Sequence, residues 1–451
     1  MTLRAACVVV GALCWVIAGQ RSFALAAPEN PAAARPWPPN VVLIVADDLG
    51  YADLGVQGSS DVHTPHIDSL AHAGARLTNA YVTAPVCSPS RAGFMTGRYQ
   101  QRFGHELNTG PFPPPQVGLP TSEGTIANVL RDRGYYTGAV GKWHLGTTDQ
   151  FHPMRRGFND FFGFLSGSRS YVSMQSDDPK PLLRGFRPVT ESGYLTHVFT
   201  REAVAFIQRH GTKRPFFLYV AYTAPHLPMQ ATQGDLERFA HVEPERRRKL
   251  AAMVAAMDDG VGEILAKLRE LEIEDNTIVI FTSDNGGLPR NATRNDPLRG
   301  TKGQLYEGGI RVPLLMQWKA RLPQALTYDQ PVIMLDLLPT LAAAAGKEVP
   351  RDADIDGVNL LPHLLDNRED PPHETLYWRY GDQWAIRRGE WKLVGGSDGF
   401  AQLFNLSQDI GENVDLSSRE PPKVAELKAL YNQWNAQLVP PSWSPEDGAA
   451  E

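Results

Sequence analysis

Two short runs of acid and amide side chains stand out in this sequence, Asp47-Asp48 and Asp284-Asn285. Each follows an apolar stretch at once, Val41–Ala46 in one case and Thr277–Ser283 in the other. Together they offer only oxygen donors. Such donors suit Ca2+ or Mg2+, whereas zinc usually recruits His or Cys. Taken singly, Asp-Asp and Asp-Asn-Gly-Gly are also plain turn sequences. Two further apolar stretches end in polar chemistry: Phe216–Ala224 runs into Pro225-His226, and Thr137–Gly141 runs into Lys142-Trp143-His144. Neighbouring residues of a regular strand point to opposite faces, so two adjacent Asp converge only where the strand has ended. In open α/β sheets, ligands bind beyond the carboxyl ends of the strands. Four such endings on one sheet would gather these carboxylates, two His and a Lys in one crevice.

Cys87 is the other candidate. The 451-residue chain has 3 Cys, and Cys7 and Cys14 belong to an apolar N-terminal run, Ala5 to Ala18. That run is shorter than the roughly 20 residues of a membrane span. With Arg4 before it and Ala24-Leu25-Ala26 after it, it reads as a cleavable secretory signal over residues 1–26. Residues 27–39 are Ala- and Pro-rich and read as a linker. Removing 1–26 takes away two basic residues of 44 and none of the 50 acids, leaving 42 against 50, a formal charge of −8. That balance argues against nucleic acid or an anionic membrane as the main partner. No other long apolar run suggests a stable membrane anchor. Cys87 is then the one cysteine of a protein bound for an oxidising compartment. It is a spare thiol, an intermolecular link or something chemically special. A lone Cys is also often just a small buried hydrophobe. Ser88-Pro89 reads as an N-cap and first helical residue. Cys87 is therefore expected just before a helix N-terminus, where backbone N–H groups favour an anion.

The elements that must hold these residues read as α/β. With 42% hydrophobic and 21% charged residues, the composition excludes a disordered, collagen-like or disulfide-framework chain. Val41–Val45, Phe216–Val220 and Thr277–Phe281 are continuous apolar runs, the mark of strands buried on both faces. Tyr136–Val140 and Val312–Met316 are weaker candidates. From Arg247 to Leu271, Leu250, Met253, Val254, Met257, Val261, Ile264, Leu265 and Leu268 recur at helical spacing. Strands alternating with helices predict a mixed, mostly parallel sheet between helices. After about residue 345 the pattern changes. Leu376–Tyr380, Trp384–Arg387, Trp391–Val394 and Gln402–Phe404 predict a small antiparallel sheet, and Pro422–Leu438 a final helix. The expected organisation is a large α/β domain over 40–345 and a smaller α+β subdomain over 346–451.

Cys87-Ser88-Pro89-Ser90-Arg91, followed by Phe94-Met95-Thr96-Gly97, resembles the signature of the type I, formylglycine-dependent sulfatases. Gly134–His144 resembles the second signature of that family. Asn40–Gly50, Asp284–Gly287 and Arg299–Gly303 match further blocks, in the family's order, between about residues 40 and 405. The arylsulfatase A/B-like group is the part of the family most similar.

The resemblance implies an alkaline phosphatase-like fold, with 40–345 as the catalytic domain, and hydrolysis of sulfate monoesters. It implies that a formylglycine-generating enzyme oxidises Cys87 to Cα-formylglycine (3-oxoalanine). Asp47, Asp48, Asp284, Asn285 and the modified Cys87 would bind one divalent cation, Ca2+ rather than Mg2+. Arg91 would hold the formylglycine, and Lys142 and Lys302 the sulfate oxygens. His144 and His226 would serve acid–base roles. A sulfate ester carries its charge on non-bridging oxygens, which explains the metal and cations. In the implied reaction one hydroxyl of the hydrated aldehyde attacks sulfur, and His226, helped by Lys302, protonates the leaving oxygen. The second hydroxyl then loses its proton to His144, which expels sulfate; a plain thiol lacks that release route.

The implied substrate is a sulfated sugar or an aryl sulfate. The implied location is secreted or periplasmic, or a lysosomal-type compartment in a eukaryote. Two rivals remain at this level: a phosphodiester or phosphonate monoester hydrolase of the same superfamily, and a non-catalytic binder of sulfated glycans. Some residues stay unassigned. Asp258-Asp259 fit a solvated face or a helix–loop contact better than a metal site. His63 and His66 flank a helix start, and the family more often has Asn in place of His66. His105 and Glu106 are candidates to touch substrate. Asn291 and Asn405 head glycosylation sequons.

Overall fold

The computed structural model describes Thr2 and residues 38–110, 112–347, 354–366, 368 and 370–444. The expected signal peptide and linker lie outside the described residues, apart from Thr2, Pro38 and Pro39. The strands run, in spatial order, Leu326–Tyr328, Ala75–Leu77, Leu314–Gln317, Thr277–Ser283, Asn40–Ala46, Phe216–Ala221, Tyr136–Lys142, Asp160–Phe164, Leu182–Arg184 and Arg187–Val189. The five from Thr277–Ser283 to Asp160–Phe164 are mutually parallel. The expected strand near Val312–Met316 forms as Leu314–Gln317 and pairs antiparallel with Thr277–Ser283. The short flanking strands were not legible, because three-residue segments carry no period.

Asn40–Ala46 sits at the centre, and all seven of its residues are buried. Its side chains alternate between two cores, as the period of a strand requires. Val41, Leu43 and Val45 face Phe94, Met95, Ile126, Leu337 and Leu341. Val42, Ile44 and Ala46 face Phe199, Phe206, Met253, Met257 and Ile264. The second group belongs to the helices Leu195–His210 and Glu245–Glu270, so the long helix lies where its apolar spacing placed it. Burial on both faces explains why these strands lack polar alternation.

The predicted antiparallel sheet is present as Thr375–Tyr380, Gln383–Arg388, Trp391–Gly396 and Ala401–Asn405. Trp378, Ile386, Leu393 and Phe404 join the same core as Phe94 and Met95. The helix Pro421–Asn435 covers the small sheet through stacked rings, Tyr377 on Trp434 at 5.0 Å and Trp384 on Tyr431 at 4.7 Å. Among the described residues, no helix is long and apolar enough to cross a membrane.

Candidate active site

The carboxyl ends of the parallel strands supply the candidate residues. Asp47 and Asp48 follow Asn40–Ala46 directly, and Asp284 and Asn285 follow Thr277–Ser283. Lys142 ends Tyr136–Lys142, and His226 lies just beyond Phe216–Ala221. Asp48 has φ of +65°, in the left-handed region. That departure from strand geometry lets Asp47 and Asp48 serve one centre. Gly286 lets two turns meet, because a Cβ there would lie 1.9 Å from Gly308 O.

Cys87 is brought to the cluster by the helix Cys87–Thr96. Its N-cap is Val86, so Cys87 is the first helical residue and Ser88 is not the cap. The Ser88 hydroxyl is engaged elsewhere. Its single proton goes to His144 O at 2.6 Å, so His105 Nε2, at 2.7 Å, must donate to it. Burial pushes the His105 imidazole down to about 3, which fits a neutral ring. His105, which is fully buried, therefore supports Ser88. Glu106 is paired with Arg379.

Cys87 Sγ lies 3.4 Å from Asp47 Oδ1, 3.8 Å from Asp48 Oδ1 and 3.3 Å from Lys302 Nζ. Ligand atoms of Asp47, Asp48, Cys87 and His226 all fall within 4.8 Å of one another. Asp284 borders this cluster by accepting the Asp48 N–H at 3.2 Å. Asn285 donates Nδ2 to Asp48 Oδ1 at 2.8 Å and to Gly286 O at 2.9 Å. Its Oδ1 is left buried without a hydrogen-bond partner. A buried orphan oxygen beside three carboxylates is what a hard, oxygen-seeking divalent cation would satisfy. The residues present therefore fit such an ion.

Three cations balance the three carboxylates. Lys142 Nζ meets Asp47 at 2.7 and 3.0 Å, and Lys302 Nζ is 3.0 Å from each oxygen of Asp48. Arg91 grips Asp284 and donates Nη1 to the Tyr219 hydroxyl at 2.9 Å. Burial works on each group, and the charges decide the outcome. Burial pushes Asp47 up to about 6 even against Lys142. Burial would also raise Asp284, but Arg91, Lys142 and Lys302 hold it well below the usual carboxylate range. Burial would lower Lys142, yet Asp47 and Cys87 hold it above its ordinary value. The Cys87 thiol is pushed well up by burial and then by Asp284, which makes it a poor nucleophile as a thiol.

His226 Nδ1 is 2.8 Å from Leu227 O, which can only accept, so Nδ1 carries a proton. Its Nε2 is 3.4 Å from Lys302 Nζ and 3.7 Å from Asp48 Oδ2. Burial disfavours the imidazolium, but Asp47 and Asp48 overcome it and raise the pKa. His144 is buried and held through its backbone, its N–H donating to Leu165 O at 3.1 Å. The Lys302 loop is pinned on both sides. Lys302 N donates to Gly287 O at 3.1 Å, and Gly303 N to Pro85 O at 2.9 Å.

The "Sulfatase" family model matches residues 39–347, the span that carries every candidate site residue read from the sequence. The chain belongs to the sulfatase family. A second model, "N-sulphoglucosamine sulphohydrolase, C-terminal", matches residues 301–436 of this sulfatase. Mouse arylsulfatase J is 31% identical, covering 97% of this chain and 83% of its own. Human N-acetylgalactosamine-6-sulfatase is 32% identical over 91% of this chain and 88% of its own. The solved structure of Ps i-CgsB in complex with k-i-k-neocarrahexaose is 38% identical, with TM-score 0.85, covering 90% of this chain and 94% of that one. The fold is therefore alkaline phosphatase-like, as sequence reading expected, and the sulfatase is a sulfuric ester hydrolase.

Some supporting residues of this sulfatase escaped sequence reading. Tyr219 looked like one more aromatic in a buried strand; the signal was a hydroxyl in a strand buried on both faces. Ser283 Oγ accepts the Leu49 N–H at 3.1 Å and donates to Asn285 O at 2.8 Å, joining the two acidic turns. Asp258 accepts the N–H groups of His66 and Ile67 at 3.3 and 2.7 Å, and Asp259 pairs with Arg238. Asp258, in the middle of the helix Glu245–Glu270, thus meets the start of the helix Pro65–His72, where sequence reading expected a solvated face or a helix–loop contact.

Proposed function

We propose that this sulfatase removes sulfate from sulfated carbohydrates, using Cα-formylglycine made from Cys87 and one Ca2+ ion. The observation that carries this is the position of Cys87 Sγ, 3.4 Å from Asp47 and 3.3 Å from Lys302. Asp47, Asp48, Asp284, Asn285 and the modified Cys87 would hold the ion. When bound, the ion supplies charge for the sulfate oxygens and polarises the hydroxyl of the hydrated aldehyde that attacks sulfur. Arg91 fixes Asp284 and offsets carboxylate charge beside the helix start. Lys142 and Lys302 present ammonium groups to the non-bridging oxygens, where charge develops. His226 holds a proton on Nδ1 against Leu227 O, and its raised pKa favours a second proton at Nε2. That Nε2 proton serves the leaving alcohol oxygen. His144, locked to Ser88 beside Cys87, is the base for sulfate release.

The substrate class rests on relatives named for N-acetylgalactosamine 6-sulfate and on a neighbour holding neocarrahexaose. Cleavage of a signal over 1–26 and export belong to the same proposal. A desulfation screen over defined sulfated saccharides tests it, run beside mass spectrometry of the 77–91 tryptic peptide. The peptide is expected to have lost its sulfur and to resist thiol alkylation. Modified protein that turns over aryl phosphodiesters faster than every sulfate ester would overturn the proposal.

A further inference from the structure

The cavity above the cluster is larger than one sulfate group requires. Its volume is about 840 Å3, within the range of a drug-sized ligand site. His226 and Lys302 line it, joining it to the catalytic cluster. The first five residues of the helix Glu245–Glu270 contribute Glu245, Arg246 and Lys249, and the segment after Gly287 contributes Leu288 and Arg290.

The charges of this wall do not cancel. Glu245 is taken by Lys249 at 2.9 Å, and Lys302 is engaged with Asp48. Arg246 and Arg290 are exposed, and their side chains make no ion pair or hydrogen bond with any described residue. Two separate segments thus bring an uncompensated guanidinium to one cavity. A guanidinium fork matches sulfate and carboxylate alike. Nothing in the chemistry at sulfur calls for these two side chains, since Lys142, Lys302 and Arg91 already match the carboxylates.

We propose that Arg246 and Arg290 form a second anion subsite, holding a sulfate or carboxylate of the sugar chain other than the scissile sulfate. The preferred substrate is then a polyanionic saccharide. This rests on the sulfatase reading above and narrows it.

Three oligosaccharides test the subsite. They share one backbone and one scissile sulfate, and the neighbouring sugar is neutral, carboxylated or sulfated. Wild type should favour an anionic neighbour about tenfold in kcat/KM, mostly through KM, and less so at high salt. Whichever anion gives the larger gain identifies the source. Arg246→Ala with Arg290→Ala should remove the preference and leave turnover of a small aryl sulfate unchanged. A double variant that keeps the preference, or loses aryl sulfate turnover to the same degree, overturns the subsite. Calorimetry of the three saccharides on Cys87→Ala protein separates this from catalysis. Anion-selective binding there, lost with both arginines, upholds the subsite even if modified wild type proves unable to cleave sulfate esters.

Discussion

Arg91 donates Nε to Asp284 Oδ2 at 2.9 Å and sets Nη2 2.8 Å from the same oxygen as an ion pair, and neither side chain is exposed. Removing one partner of such a pair strands a buried charge. Arg91→Leu should therefore cost about 3–5 kcal/mol of stability, read from denaturant midpoints. Arg91→Lys keeps the charge but loses the fork. It should be milder in stability, yet lower kcat by about 100-fold through misplacement of the helix start that carries Cys87. Equal stability and activity for Arg91→Lys and wild type would show that the fork is dispensable.

Asn285 makes the second prediction. Its Nδ2 bonds orient the amide and leave Oδ1 as a ready donor to a cation. Chelation should abolish turnover, and Ca2+ should restore it better than Mg2+, because the donors are many and all oxygen. Asn285→Ala should raise the Ca2+ needed for half-maximal activity by roughly tenfold or more. Activity that survives exhaustive chelation would remove the metal from the site.

The acidic half of the candidate site was legible because Asp47-Asp48 and Asp284-Asn285 each end a strand buried on both faces, where an acid has no packing role. Cys87 was legible through its motif. The central strands and the long helix were legible for the same reason, an unbroken apolar run or a sustained helical spacing. What stayed hidden depends on contacts between distant segments. Ser88 looked like a cap, but its hydroxyl serves His144 and His105, and Val86 takes the cap position. Tyr219 gave no sign that its hydroxyl would meet Arg91, 128 residues away in sequence. Arg246 is one of four consecutive basic residues, and only the fold brings it to the same cavity as Arg290.

A buried histidine outside the site sets a pH dependence. His373 Nε2 is 2.7 Å from Asp336 Oδ1. Burial lowers the His373 imidazolium, but Asp336, with Asp356 behind it, overcomes this and holds the pKa above the usual 6.5. The folded state thus binds this proton more tightly than the unfolded chain does. The resulting stability is fully present below about pH 6.5 and is lost as pH rises through the raised folded value. Asp336 also accepts the N–H groups of Ile333 and Val358 at 2.9 and 2.8 Å, so the carboxylate stays placed when His373 is neutral. Unfolding free energy followed from pH 6 to 9 should fall for wild type. His373→Gln should flatten that fall, and an unchanged slope would assign the dependence to other groups.

Lys392, in the small sheet, lies wholly buried between Glu307 Oε1 at 2.8 Å and Glu412 Oε1 at 2.9 Å. Glu307 starts the short helix Glu307–Ile310, whose Gly309 O accepts the Gly286 N–H at 3.0 Å, next to Asn285. The lysine therefore ties the antiparallel sheet to the turn that carries Asp284 and Asn285. Burial pushes Glu412 up to about 7, and Glu307 beside it adds to the rise against Lys392. Burial would raise Glu307 as well, but Lys392, Arg311 and Arg387 hold it down to about 2. Lys392→Met leaves both acids without their shared cation and should cost about 3–5 kcal/mol. Adding Glu412→Gln should recover part of that loss, because the neutral amide no longer sets a second buried acid against Glu307. Denaturant midpoints of the three proteins decide it. A single variant within about 0.5 kcal/mol of wild type, the range of an ordinary surface change, would show that the network contributes nothing to stability.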